Sequence, residues 1–213
     1  MKISYQHIAS HISSKPSISE LSEKLFQLGH EHEIHAGIFN MELTPNRGDC
    51  LSLNGILRDL KIFYDLKINN DVYENDIKPF NFNFENNVGT NCSHISFLKI
   101  EVETLPKKYD ELLESYFSEL KLNKNNFFTD LSNYISYETG QPTHCYDLDK
   151  ISNFLRLDIL DKGCGFETLL DETIELQDKS MVFFDKNNHV VNLAGIVGSK
   201  ASACSNNTRS VIV

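Results

Sequence analysis

Positive charge is scarce in this chain. Lys and Arg number 20 against 30 Asp and Glu in 213 residues, a net charge of −10. This excludes a protein that coats nucleic acid by bulk charge, because neutralised phosphates supply most non-specific affinity. A local RNA-facing patch stays open. Cys50, Cys92, Cys145, Cys164 and Cys204 are odd in number and scattered, with no C-x-x-C pair. A zinc knuckle and a disulfide framework are therefore not expected. Ten Gly and five Pro are too few for a fibrous or low-complexity chain. No run of about 18 apolar residues occurs, and the opening MKISYQHIASHIS lacks an apolar signal core. Neither a membrane span nor a signal peptide is expected, and the expected address is the cytoplasm. The G-x-S-x-G elbow, the H-E-x-x-H helix and the P-loop are missing. His30, His32 and His35 cluster without a cysteine or a second group, so no metal site is expected there.

The patterning predicts an α+β fold. Ser17 and Glu20 have the spacing of a capping box, each side chain satisfying an orphan backbone N–H of the other. Leu21, Leu25 and Leu28 follow at helical spacing, and Gly29 is a plausible stop. After an apolar run from Ile38 to Leu43, a second amphipathic helix is expected from about Leu51 to Leu66, with Leu53, Ile56, Leu57, Leu60 and Phe63 on one stripe. From Asn69 to Asn91 the pattern dissolves, which places a domain boundary near residue 75. The expected domains are 1–75 and 76–213. Beyond the boundary, Ile95 to Glu103 reads as a strand, and Leu105 to Leu122 and Asn125 to Tyr137 as helices. Phe154 to Leu160 alternates, and Met181–Asp185 and Val190–Ala194 flank a hairpin turn at Lys186-Asn187-Asn188.

Three stretches stand out for chemistry. In Leu43-Thr44-Pro45-Asn46-Arg47-Gly48-Asp49, Pro45 and Gly48 set a turn, Asp49 can cap the next helix, and Arg47 can pair with Asp49 or Asp59. That is a structural corner, or else a phosphate contact through Arg47. Asp130-Leu131-Ser132-Asn133-Tyr134 precedes Gly140-Gln141-Pro142-Thr143-His144. A Ser/Asn pair on a helix and a His after a Pro turn can converge on a small ligand; the alternative is a turn with a satisfied histidine. In Ala194-Gly195-Ile196-Val197-Gly198, two glycines admit close backbone approach by a ligand or by another strand.

Together these stretches resemble one family. "ELTPNRGDCLSLNGILRDL", "DLSNYISYETGQPTHCYDLDKI" and "LAGIVGS" occur in the order and approximate spacing of the N-terminal half of the bacterial phenylalanyl-tRNA synthetase beta subunit. The resemblance implies a small N-terminal α+β domain followed by a mixed helix and antiparallel-sheet editing module. It implies a site that hydrolyses tyrosine mischarged onto tRNA(Phe), lined by Ser132, Asn133, Ala194, Gly195 and Gly198, with His144 as the catalytic side chain. It implies the synthetase alpha subunit and tRNA(Phe) as partners, with no DNA and no membrane. It implies no cofactor in this chain, ATP and Mg belonging to the partner's charging site. A non-catalytic scaffold or tRNA-binding module of the same family is the alternative.

The chain departs from the family pattern in four places. It runs straight through Gly37–Met41, where the family carries an OB-fold insertion. Val213 comes just before the position of the family's pocket glutamate. Asn123 or a neighbour stands where an arginine is usual, and the family's later domains are not expected in this sequence. The resemblance thus implies a fragment or a reduced subunit.

Overall fold

A computed structural model of the protein describes residues 1–66 and 77–213. The boundary expected near residue 75 lies outside the described residues, as does the start of the loose segment after Asn69. The chain divides into two compact units that interleave along the sequence. One comprises Met1–Asn75, Lys107–Lys124 and Asp130–Thr143; the other comprises Asp76–Pro106, Asn125–Thr129 and His144–Val213. Helices and both mixed and antiparallel sheets make the class α+β, as the patterning predicts.

The first unit opens with β1 (Lys2–Ser4), α1 (Tyr5–Ser10), α2 (Ile18–Gln27), β2 (Glu31–His35), β3 (Ile38–Glu42) and α3 (Leu53–Leu60). It adds α4 (Glu111–Leu120) and most of α5 (Phe127–Thr139). The Ser17 hydroxyl accepts from Glu20 N at 3.2 Å and starts α2. The helix ends where Gly29 takes φ +80°, with His30 N bonded to Leu25 O and Gly29 N to Phe26 O. This is the paired closure that a left-handed glycine allows. Ala36 and Gly37, both at positive φ, turn β2 into β3, and the sheet runs β1-β3-β2, all antiparallel. Ile3, Ile8, Leu21, Leu25, Phe39, Ile56, Leu57 and Leu60 are fully buried in its core.

Three expectations for this unit need correction. α3 is capped by Ser52, whose hydroxyl accepts from Gly55 N at 2.9 Å, rather than by Asp49. It stops at Leu60 instead of Leu66 because the following chain is drawn into a bridge between Leu66 and Ile12, with Ser13 N bonded to Asp65 O. Phe63 is left 38% exposed, under the Lys24 ammonium. The helix expected from Leu105 begins only at Glu111, where Asp110 caps it by accepting from Leu113 N at 2.9 Å. That phase exposes Leu112 and buries Leu113, Tyr116 and Phe117.

The second unit holds β4 (Asn83–Asn86), β5 (Lys99–Glu101), β6 (Tyr146–Asp147), α6 (Leu148–Ile151) and β7 (Phe154–Ile159). It continues through β8 (Cys164–Glu167), β9 (Thr173–Leu176), β10 (Met181–Phe184), β11 (Val190–Leu193), β12 (Val197–Gly198) and β13 (Ser210–Ile212). A five-stranded sheet runs β12-β11-β10-β7-β4, a three-stranded sheet runs β5-β13-β6, and β8 and β9 form a separate hairpin. The hairpin expected around Lys186-Asn187-Asn188 is present: Asp185 Oδ1 accepts from Asn187 N and His189 N, and Asn188 takes φ +62°. β4 falls inside the segment that looked patternless, and it pairs parallel with β7. The strand expected over Ile95–Glu103 is only Lys99–Glu101. Among the described residues no helix is long and apolar enough to cross a membrane.

Candidate functional site

In the second unit the residues before β6 and the turn before β12 come together. Asn192 pairs with Gly198 and Leu193 with Val197, so Ala194, Gly195 and Ile196 form the tip of a β-hairpin. Ile196 N bonds Leu193 O at 2.9 Å, and Gly195 at φ +73° completes a turn that an L side chain would strain. β12 is flanked on its other side by the Thr168–Leu169 segment, with Leu169 N bonded to Gly198 O at 3.0 Å.

Gly198 is where His144 arrives. A Cβ added there would lie 2.2 Å from His144 Cε1 and 2.6 Å from His144 Nε2. Only glycine lets the imidazole sit at this point on the strand. The ring packs edge-on against Tyr146, with centroids 4.5 Å apart. Its Nε2 is buried and has no hydrogen-bond partner among the described residues. Burial lowers the imidazole pKa to about 4, so the ring is neutral near pH 7. A neutral, half-buried imidazole with one unsatisfied buried nitrogen can accept or donate a hydrogen bond to a small ligand.

Ser132 and Asn133 lie on α5 in the first unit. Ser132 is buried, and its hydroxyl lies 2.9 Å from Thr143 O and 2.7 Å from Thr143 Oγ1, tying the helix to the Gln141–Thr143 turn. Asn133 is exposed. A surface depression of about 490 Å³ in that unit is lined by Lys108, Tyr109, Glu111, Glu114, Ser115 and Ser118, and by none of the predicted site residues.

The three clustered histidines go to different partners. His32 bonds Ser22 Oγ and His30 O, and His35 reaches Glu33 at the surface. His30 Nε2 instead lies 2.9 Å from Asp59 Oδ2, and the donor atoms of His30, Cys50 and Asp59 fall within 4.8 Å of one another. Sequence spacing hid this cluster because its members come from three separated segments. Two guanidiniums already occupy it: Arg47 Nη2 lies 2.5 Å from Asp59 Oδ2 and 2.7 Å from Cys50 Sγ, and Arg58 joins Asp59 to Asp49. The carboxylates are neutralised there by arginine, which makes the cluster an ion-pair clamp. Arg47 pairs with both of the aspartates expected from the sequence.

The family model described as the B3/4 domain matches residues 100–213. That is more than half of the chain, and the protein belongs to this family. Its curated relatives are phenylalanine–tRNA ligase beta subunits. The chain is 28% identical to the one from Ehrlichia canis over 97% of its own length and 26% of the relative's. It is 29% identical to that of Neisseria meningitidis serogroup B and 30% identical to that of Bartonella quintana, each over 83% of this chain and 22% of the relative. The chain thus spans about a quarter of the length of the relatives it matches. Its fold is similar to that of an N-terminal fragment of the phenylalanyl-tRNA synthetase beta subunit from Pyrococcus horikoshii, at a TM-score of 0.51 and 15% identity, over all of this chain and 66% of that one. The resemblance read from the three motifs therefore holds: sequence and fold group the chain with the N-terminal part of such beta subunits.

Proposed function

We propose that the B3/4 portion of this chain is a proofreading module that hydrolyses the ester of tyrosine mischarged on tRNA(Phe). The observation that carries the reading is the buried His144 Nε2, without a partner among the described residues and held against Gly198 in the segment that matches the family model. Ester hydrolysis needs a positioned water and stabilisation of the developing oxyanion. A ring that stays neutral near pH 7 is too weak a base to hold the water's proton, so His144 serves by orienting the water or the ester through Nε2. The backbone N–H groups of Gly195 and Gly198 are the donors assigned to the oxyanion, since Ile196 N is already bonded to Leu193 O. Ser132 and Asn133, the other residues that the resemblance implies, lie in the first unit. Tyrosine differs from phenylalanine by one hydroxyl, and a site that hydrogen-bonds that hydroxyl leaves its own groups unpaired with phenylalanine, which can yield large discrimination.

The reading asks for no cofactor in this chain. Its partners are tRNA(Phe) and the synthetase alpha subunit, and its setting is the cytoplasm. The test is release of free amino acid from Tyr-tRNA(Phe) and Phe-tRNA(Phe) by the purified chain. Tyrosine release well above buffer, with Phe-tRNA(Phe) spared and His144→Ala slowed, is the expected result. Equal rates on both esters, or none above buffer, would overturn it and leave a non-catalytic binding module. One observation favours that second reading: the Ser132 hydroxyl is already bound to Thr143.

A further inference from the structure

Leu169 and His144 meet at Gly198. The segment Thr168–Asp171 forms a tight surface turn after β8. Thr168 N bonds Glu172 O, Asp171 N bonds Thr168 O, Leu170 N bonds the Thr168 hydroxyl, and Asp171 takes φ +60°. The Leu169 backbone is tied to β12 through Gly198 O. Its side chain turns onto the same glycine: a Cβ added at Gly198 would lie 2.9 Å from Leu169 Cδ2, as well as 2.6 Å from His144 Nε2. An aliphatic methyl and the unpartnered imidazole nitrogen therefore meet over one Cα. Leu169 is nonetheless 38% exposed, and its neighbour Leu170 is 68% exposed. Among the described residues, Leu169 belongs to no hydrophobic core cluster.

We propose that Leu169 is the residue that controls access to the His144 site, its side chain covering Nε2 until an aromatic aminoacyl ester displaces it. This deepens the proofreading reading and rests on it for the identity of the ligand. The covering methyl keeps water off Nε2 while the site is empty. A rotamer change of one exposed leucine, with the backbone bond to Gly198 intact, uncovers the nitrogen. The substrate then binds only the uncovered fraction of molecules, so its apparent affinity is reduced by that fraction. Leu169 acts on access and takes no part in the chemistry.

The test uses the full chain with Leu169→Ala, and Leu170→Ala as a control on the same turn. The first readout needs no substrate: ¹⁵N-NMR titration of the His144 ring. Tyr146, which packs on the ring, has its own pKa raised by burial and stays protonated throughout. With the methyl removed, water reaches Nε2 and the titration midpoint should rise by about one pH unit or more, while Leu170→Ala leaves it in place. The second readout is hydrolysis of Tyr-tRNA(Phe), where Leu169→Ala should lower KM severalfold at unchanged kcat. An unmoved titration in Leu169→Ala, or an equal movement in Leu170→Ala, overturns the proposal even if hydrolysis is robust. A moved titration with no hydrolysis by the parent chain keeps Leu169 as the cover and overturns the proofreading reading instead.

Discussion

Arg47 and Asp59 are bound side chain to side chain, Nη2 to Oδ2 at 2.5 Å, and His30 Nε2 reaches the same carboxylate oxygen at 2.9 Å. The turn that begins at Pro45 is thereby fastened to the end of α3 and to the residue that closes α2. Burial alone would raise the Asp59 pKa. The hydrogen bonds from Arg47, Arg58 and His30 outweigh that and bring it down to about 2.

Asp59 should make the first unit sensitive to acid. Its folded pKa lies below the unfolded value of 3.8, so its stabilisation is fully present above that pH and is lost as pH falls toward 2. The size is about 2 kcal/mol. Urea midpoints measured between pH 5 and pH 2 should drop in the native chain and drop less in Asp59→Asn, which begins less stable. Parallel pH profiles for the two proteins would contradict this.

Gly55 has no room for a side chain. A Cβ there would lie 2.1 Å from the Asp49 carbonyl oxygen and 2.9 Å from Cys50 Cα, both backbone atoms that cannot rotate away. Gly55→Ala should cost about 3 kcal/mol despite the higher helix propensity of alanine. Chemical denaturation checks it through the midpoint at constant m-value.

Gly198→Ala sets a methyl into His144, so the ring must leave its place. On the proofreading reading, the expected outcome is loss of Tyr-tRNA(Phe) hydrolysis, together with a changed His144 imidazole spectrum. Gly195→Ala has nothing near its added carbon and suffers only from φ +73°, so it should lower stability by about 1 kcal/mol and leave the His144 spectrum close to native.

His144 titrates in the opposite sense from a histidine that gains an acidic partner. Its folded pKa is lowered to about 4 by burial, below the unfolded 6.5, so the unfolded chain takes up the proton first. Stability from this group is complete above pH 6.5 and is lost as pH falls toward 4, by roughly 1.4 kcal/mol for each pH unit descended between those two values. His144→Gln should flatten that part of the stability profile. An unchanged slope between pH 6.5 and 4 would count against a neutral, half-buried ring.

Ser132→Ala removes both links from α5 to Thr143 and should destabilise the chain by about 1–2 kcal/mol, whereas Ser132→Thr keeps the hydroxyl and should cost less. Differential scanning calorimetry of the two variants distinguishes them. Equal melting temperatures would deny the hydroxyl a structural role.

What the amino-acid order determined by itself is local. The Ser17 cap, the left-handed Gly29 after α2, the Asn187-Asn188 hairpin and the α+β class follow from neighbours a few residues apart, whose hydrogen bonds form whatever the rest of the chain does. The three family motifs were legible for the same reason: each is a short run. Tertiary structure decided everything that depends on distant segments meeting. α3 ends at Leu60 because Leu66 bridges Ile12; β4 becomes a strand because β7 accepts it in parallel; Asp59 becomes the centre of a clamp because Arg47 and His30 arrive from other elements. The placing of His144 over Gly198 is of this kind too. A glycine read in sequence only permits close approach. Which side chain fills the space, and whether its nitrogen keeps a partner, is settled when strands remote in the chain pack within van der Waals reach.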